Sequence, residues 1–296
     1  MKYEVTTAGN HKYIRVGEEH KDVRLSLVFY HGLIATAETW KYQLDYFRNK
    51  YQVWVPANTY EERLNLESTC SSQKKLFETE IIPNSPHGTV VIGNSMGAIT
   101  ALEMAHHYPD NIKGYGLIHG AGQGDNIGLD NSNESNSVAL RKILSLIKEK
   151  NTKDLKKIIV ELNLISERNA FQNLLQKMGV GKGKIEFLIN ELYNLFGIND
   201  ENSNSRLVDA KFIKMKPLME DVKGFKFDTN FLKEITQKGF GIYSPKDTIT
   251  PWEKGMSYSE SLPNFSLHKI NSGHAGMVEK PRKVNRIIED FLRELK

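Results

Sequence analysis

The chain has 296 residues, 39% hydrophobic and 26% charged, and its 40 basic and 36 acidic side chains leave a net charge of +4. That is enough apolar material for a substantial core, and charge so evenly spread, with no long basic run or basic–aromatic stripe, excludes a nucleic-acid or anionic-membrane footprint. No apolar run spans a bilayer, no signal-peptide core opens the chain, and the one cysteine, Cys70, supports neither an internal disulfide nor a metal cluster, so a cytoplasmic protein is expected.

Residues 2–19 predict two short strands around the turn Ala8-Gly9-Asn10. Leu25 to Tyr30 is a dense apolar run stopped by Gly32 and reads as a buried strand. Trp40, Leu44 and Phe47 have helical spacing. "QVWVPAN" is a strand stopped by Pro56, and Ser71 to Ile82 is helix-like. "GTVVIGN" is a strand, "SMGAITALEMAHHYP" a helix closed by Pro109, and "IKGYGLIHGAG" a strand again. The alternation resumes with "KGFGIYS" (strand), Trp252 to Ser261 (helix), "FSLHKINSG" (strand) and "PRKVNRIIEDFLREL" (amphipathic helix). Strands and helices alternating through connections too long for hairpins predict an α/β fold, a mostly parallel sheet flanked by helices.

Residues 125–231 break that rhythm. Four segments with helical periodicity are separated by Asn-, Ser- and Gly-rich loops such as "GLDNSNESN" and "INDENSNS". We read residues 1–124 and 232–296 as the core and 125–231 as a helical cap inserted into it, placed to act as a lid.

The chemistry centres on Gly93-Asn94-Ser95-Met96-Gly97. Gly-x-Ser-x-Gly between a strand and a helix is the setting of a nucleophile elbow. The sharp turn strains the serine backbone and demands small flanking residues. In return it exposes Oγ at the carboxyl edge of the sheet, beside the free N–H groups of the helix start. A serine hydroxyl needs a base, and the base an orienting acid. Of nine histidines, His106 and His107 lie a helix length away and His268 lies within a strand, whereas His274 follows Gly273 in the loop after that strand. The acid is expected at another strand end, at Asp247 in "SPKDTITP", with Asp125 as its rival. Two oxyanion donors are required. Met96 N–H, next to the serine, is one and Leu33 N–H, in the turn after His31-Gly32, the other. His31 is read as holding that loop rather than as a base. Trp40, His119 and Met277 are expected near the pocket.

"YHGLIATAETW", "VVIGNSMGAITALEMAHHYP", "GIYSPKDTITP" and "INSGHAGMVEKPRKVNRIIEDFL" together resemble the α/β-hydrolase superfamily in its lid-bearing esterase/lipase-like branch. The resemblance covers Leu25 to about Gly122 and Lys238 to Lys296. It implies the α/β-hydrolase fold, Ser95 as nucleophile, His274 as base, Asp247 as its partner, oxyanion donors at Leu33 and Met96, no cofactor and no metal. The chain departs from the family after Val55, where "PANTYEERLN" lacks the glycines of the usual turn. Asn before and Met after the serine resemble hydrolases that cleave carbon–carbon bonds in ring-fission products. The expected function is therefore hydrolysis of a small-molecule carboxylic ester, thioester or lactone through an acyl-enzyme. The alternatives are carbon–carbon bond hydrolysis and a non-catalytic ligand-binding protein on the same fold.

Overall fold

The computed structural model describes residues 3–17, 25–33, 35–57, 65–122, 218, 221–222, 224–247 and 249–295. Most of the expected cap, and Asp125 with it, lies outside the described residues.

Eight strands form one sheet: β1 (Thr6–Ala8), β2 (His11–Val16), β3 (Ser26–Tyr30), β4 (Gln52–Pro56), β5 (Thr89–Asn94), β6 (Ile112–Ile118), β7 (Lys238–Tyr243) and β8 (Phe265–Lys269). Their order is β1-β2-β4-β3-β5-β6-β7-β8. The first hairpin and the β2–β4 pair are antiparallel, and every other pair is parallel. Every residue of β3, β4 and β5 is buried, which is why those segments read as near-continuous apolar runs. β8 is the exposed edge, short and ending in His268 and Lys269, side chains that discourage pairing with another chain.

Side-chain alternation along the strands divides the core in two. Val28, Tyr30, Val91, Tyr115 and Leu117 face one way. They are covered by α2 (Leu66–Leu76), α3 (Met96–His107) and α5 (Trp252–Ser261). Leu27, Phe29, Val90, Ile92, Phe240 and Ile242 face the other way. Over them lie α1 (Lys41–Phe47), entered through a 3₁₀ turn at Ala37–Trp40, and α7 (Pro281–Glu294). Val284, Ile288, Phe291 and Leu292 give α7 its single apolar stripe. Leu218, Val222, Phe227 and Leu232, the last on α4 (Thr229–Glu234), join the first core.

Two elements differ from the expectation. The helix expected from Ser71 starts at Leu66, because Asn65 caps it: Asn65 Oδ1 accepts from Ser68 N at 2.7 Å and Asn65 N donates to Ser68 Oγ at 3.2 Å. It then continues as a π turn, Phe77–Ile81, and a 3₁₀ turn, Ile82–Asn84, that contains Pro83. The loop after β8 contains a short helix, α6 (Gly276–Glu279). Among the described residues, no helix is long and apolar enough to cross a membrane.

Candidate active site

Strand order decides which loops meet. β3, β5, β6, β7 and β8 are successive neighbours, so their carboxyl ends bring residues 31–33, 95, 119, 247 and 274 to one edge of the sheet.

Ser95 occupies the turn between β5 and α3 with φ 52° and ψ −121°. Among the described residues only His119 shares a positive φ without being glycine. The elbow closes because its flanks have no side chains. A Cβ on Gly93 would stand 2.0 Å from the Gly97 carbonyl oxygen, and one on Gly97 would stand 2.2 Å from that of Tyr30. The turn is tied to β6: Ser95 N and Asn94 Nδ2 both donate to Ile118 O, at 3.1 and 2.9 Å, and Ala121 N donates to Ser95 O at 3.0 Å. Met96 is the first residue of α3, so its N–H belongs to the open N-terminal turn. The loop after β3 comes close, since a Cβ on Gly32 would lie 3.2 Å from Ser95 Cβ. Leu33 follows in that loop, and His31, 6% exposed, folds back with Nδ1 3.0 Å from Gly32 O.

At the other end of the edge, Asp247 is 1% exposed. Its Oδ1 accepts from Ile249 N at 2.9 Å and Thr250 N at 3.1 Å, a turn-forming pattern typical of aspartate. Its Oδ2 accepts from Thr250 Oγ1 at 2.8 Å and lies 2.9 Å from His274 Nδ1. His119 Nδ1 stands 2.7 Å from the same oxygen. Burial alone would push this carboxyl up. The neighbouring imidazoles of His274 and His119 outweigh burial and hold Asp247 well below the usual carboxylate range. His274 keeps an 18% exposed side chain, so the ring spans from the buried acid to the surface of the edge.

The loops carrying the acid and the histidine are clasped together. Ser244 Oγ donates to Ser272 O at 2.6 Å and accepts from Ser272 N at 3.2 Å and Lys246 N at 3.1 Å. Gly273 N donates to Glu279 Oε2 at 3.0 Å, which fixes the residue before His274 against α6. Thr250, Ser244 and Ser272 were not singled out by sequence. The available signal was a serine just past each strand end, in "IYSPKD" and "NSGH".

Trp40 is fully buried against Phe29, ring centroids 4.8 Å apart, and Met277 is 1% exposed in the same core on the α1/α7 face. His119 is fully buried beside Asp247. A cavity of about 20 Å³, room for one water, lies near the elbow between Tyr30, His31, Thr69, Gln73, Met96 and Thr100. Cys70 is buried and its thiol is pushed up to about 11, mainly by burial, so it stays protonated and inert. His119, Asp247 and His274 are the one cluster of metal-capable side chains among the described residues. Their nitrogen-to-oxygen distances are 2.7 Å for His119 and 2.9 Å for His274.

No family model matches the chain. A 2-hydroxy-6-oxononadienedioate/2-hydroxy-6-oxononatrienedioate hydrolase from Burkholderia vietnamiensis is 24% identical over 204 residues. The match covers 69% of this chain and 62% of that protein, less than two thirds of its length. Among solved structures, the meta-cleavage product hydrolase from Pseudomonas fluorescens IP01 superposes with a TM-score of 0.71 at 14% identity, over 99% of this chain and 98% of that one. A lipase-esterase related protein from Clostridium acetobutylicum gives a TM-score of 0.67 at 15% identity, over 95% and 99%. The sheet order, the elbow after β5 and these superpositions agree: the chain has the α/β-hydrolase fold, shared with a lipase-esterase related protein and a meta-cleavage product hydrolase.

Proposed function

We propose that the protein is a serine hydrolase acting on a carboxylic ester, thioester or lactone of a small molecule. The observation that carries the reading is the Asp247–His274 contact at 2.9 Å, on the sheet edge where Ser95 sits in a strained turn. Asp247 accepts a hydrogen bond from the Nδ1–H of His274, which leaves Nε2 as the base for Ser95 Oγ. Ser95 attacks the carbonyl carbon, and His274 receives its proton and passes it to the leaving alcohol, thiol or lactone oxygen. The Leu33 and Met96 N–H groups hold the oxyanion. Water, deprotonated by His274, then attacks the acyl carbon, and His274 returns that proton to Ser95 Oγ as the acid leaves.

A second reading is favoured by a specific observation. The Burkholderia relative is a 2-hydroxy-6-oxononadienedioate/2-hydroxy-6-oxononatrienedioate hydrolase, the Pseudomonas structure is a meta-cleavage product hydrolase, and the elbow reads Gly-Asn-Ser-Met-Gly. The same residues would then cleave a carbon–carbon bond beside a ketone.

A panel of p-nitrophenyl esters of increasing acyl length, run beside a vinylogous diketone, separates the two readings. Turnover of simple esters supports the first, and turnover of the diketone alone supports the second. Ser95→Ala is expected to lower kcat by at least about 10⁴-fold on either substrate. Undiminished activity in that variant would remove Ser95 from the mechanism. Failure of a fluorophosphonate to label Ser95 in folded protein would point to a ligand-binding role.

A further inference from the structure

We propose that His119 is a positioning residue of the hydrolytic site: it shares Asp247 Oδ2 with His274 and sets how firmly that carboxylate supports the base. The inference rests on the serine-hydrolase reading above.

An oxygen of a carboxylate offers two lone pairs. Three groups crowd Oδ2: His119 Nδ1 at 2.7 Å, His274 Nδ1 at 2.9 Å, and Thr250 Oγ1 at 2.8 Å, whose single proton also lies within reach of His119 O at 2.9 Å. A bare ring nitrogen that close to a carboxylate oxygen would repel it, so His119 presents Nδ1–H. At that distance it makes no aligned hydrogen bond, so it acts on Oδ2 through the N–H dipole. At 0% exposure no bulk water relieves the crowding.

The ring is held there from every side. His119 has φ 49°, uncommon for a residue with a side chain, and its N–H donates to Ile242 O at 2.9 Å. Its carbonyl oxygen lies 2.9 Å from Thr250 Oγ1 and its Nε2 lies 3.4 Å from Ser272 Oγ. Beneath it, a Cβ on Gly276 would come within 2.6 Å of Nε2. A histidine needed only to fill space would not require a left-handed backbone, a bare glycine beneath it and a contact with the acid.

The consequence has a definite sign. A donor on the charged form of Asp247 stabilises that charge without help from His274. Without that donor the carboxylate depends more on a protonated His274, so a variant lacking it should need higher pH to react. Two further titratable groups stand near the pair among the described residues, Tyr243 and Glu279. Tyr243, its ring 6.1 Å from that of His119, is kept neutral by burial. Glu279 is engaged by Gly273 N. Neither competes for Oδ2.

The test is the rate of fluorophosphonate labelling of Ser95 against pH. His119→Phe keeps the ring and removes Nδ1–H, whereas His119→Asn puts an amide N–H where Nδ1 stands. The low-pH limb is expected to rise by about one pH unit in His119→Phe and to stay close to the wild-type position in His119→Asn. Gly276→Ala, which displaces the ring without touching its chemistry, is expected to raise the limb as well. A His119→Phe limb coincident with wild type, while Ser95 still labels, overturns the proposal. Should His119→Phe not fold, an unmoved limb in Gly276→Ala overturns it equally. Wild-type protein that never labels at Ser95 defeats the serine-hydrolase reading itself, which is a different result.

Discussion

Asp247 divides its two oxygens between a turn and a pair of imidazoles. Oδ1 closes a turn on Ile249 N and Thr250 N, and Oδ2 faces the imidazoles. Aspartate in a loop is usually a turn residue, and here that role aims the second oxygen. Because its folded-state carboxyl is held below the usual range, Asp247 contributes stability above its unfolded value of about 3.9. That contribution is lost as pH falls below about 4 toward the folded value. Asp247→Asn has no group titrating there. Thermal melts from pH 6 to pH 3 should therefore show the stability gap between wild type and Asp247→Asn narrowing as the solution acidifies. At neutral pH the same variant should lose about 10⁴-fold in kcat, through loss of the orienting acceptor.

At the scale of elements, the elbow and the loop after β3 fit against each other to within a fraction of an ångström. A methyl group on Gly32 would meet Ser95 Cβ at 3.2 Å, a contact that a small shift of the loop relieves. Gly32→Ala should leave the denaturation midpoint almost unchanged and lower kcat/KM by about tenfold or more, since the oxyanion donor proposed at Leu33 would lose alignment when displaced by tenths of an ångström. An equal fall in stability and turnover would mean that the loop is only packing. This scale also separates what the sequence made legible from what it did not. Strand–helix alternation located every strand of the sheet, because apolar runs bounded by Gly and Pro are local signals. The start of α2 was misjudged by five residues, from Ser71 back to Leu66, although Asn65 and Ser68 carry a capping pattern. The Asp247–His274 contact was expected from the order of elements. Thr250, the Ser244–Ser272 clasp and the approach of His119 to Asp247 were not. Each joins loops far apart in sequence, and only the β6-β7-β8 adjacency brings them together.

At the scale of the whole molecule, the site stands at one edge while much of the stability resides behind the sheet. Phe291 on α7 packs on Phe240 of β7 with ring centroids 4.8 Å apart, and its ring covers Gly114 of β6, where a Cβ would come within 2.8 Å. This contact belongs to the core on the α1/α7 face, and Phe291 has no hydrogen bond or close contact to Ser95, Asp247 or His274. Phe291→Ala removes a large buried ring and leaves a cavity, at a cost of about 3–5 kcal/mol in unfolding free energy. Because the loops at the strand ends are fixed by their own hydrogen bonds, kcat/KM measured well below the melting temperature should stay within about twofold of wild type. Gly32→Ala is expected to do the reverse. The pair forms a double dissociation that urea denaturation and a standard ester assay can read in parallel. A Phe291→Ala enzyme that loses stability and turnover together would show that the edge is held in shape by the core beneath it, and not by the clasps between its loops.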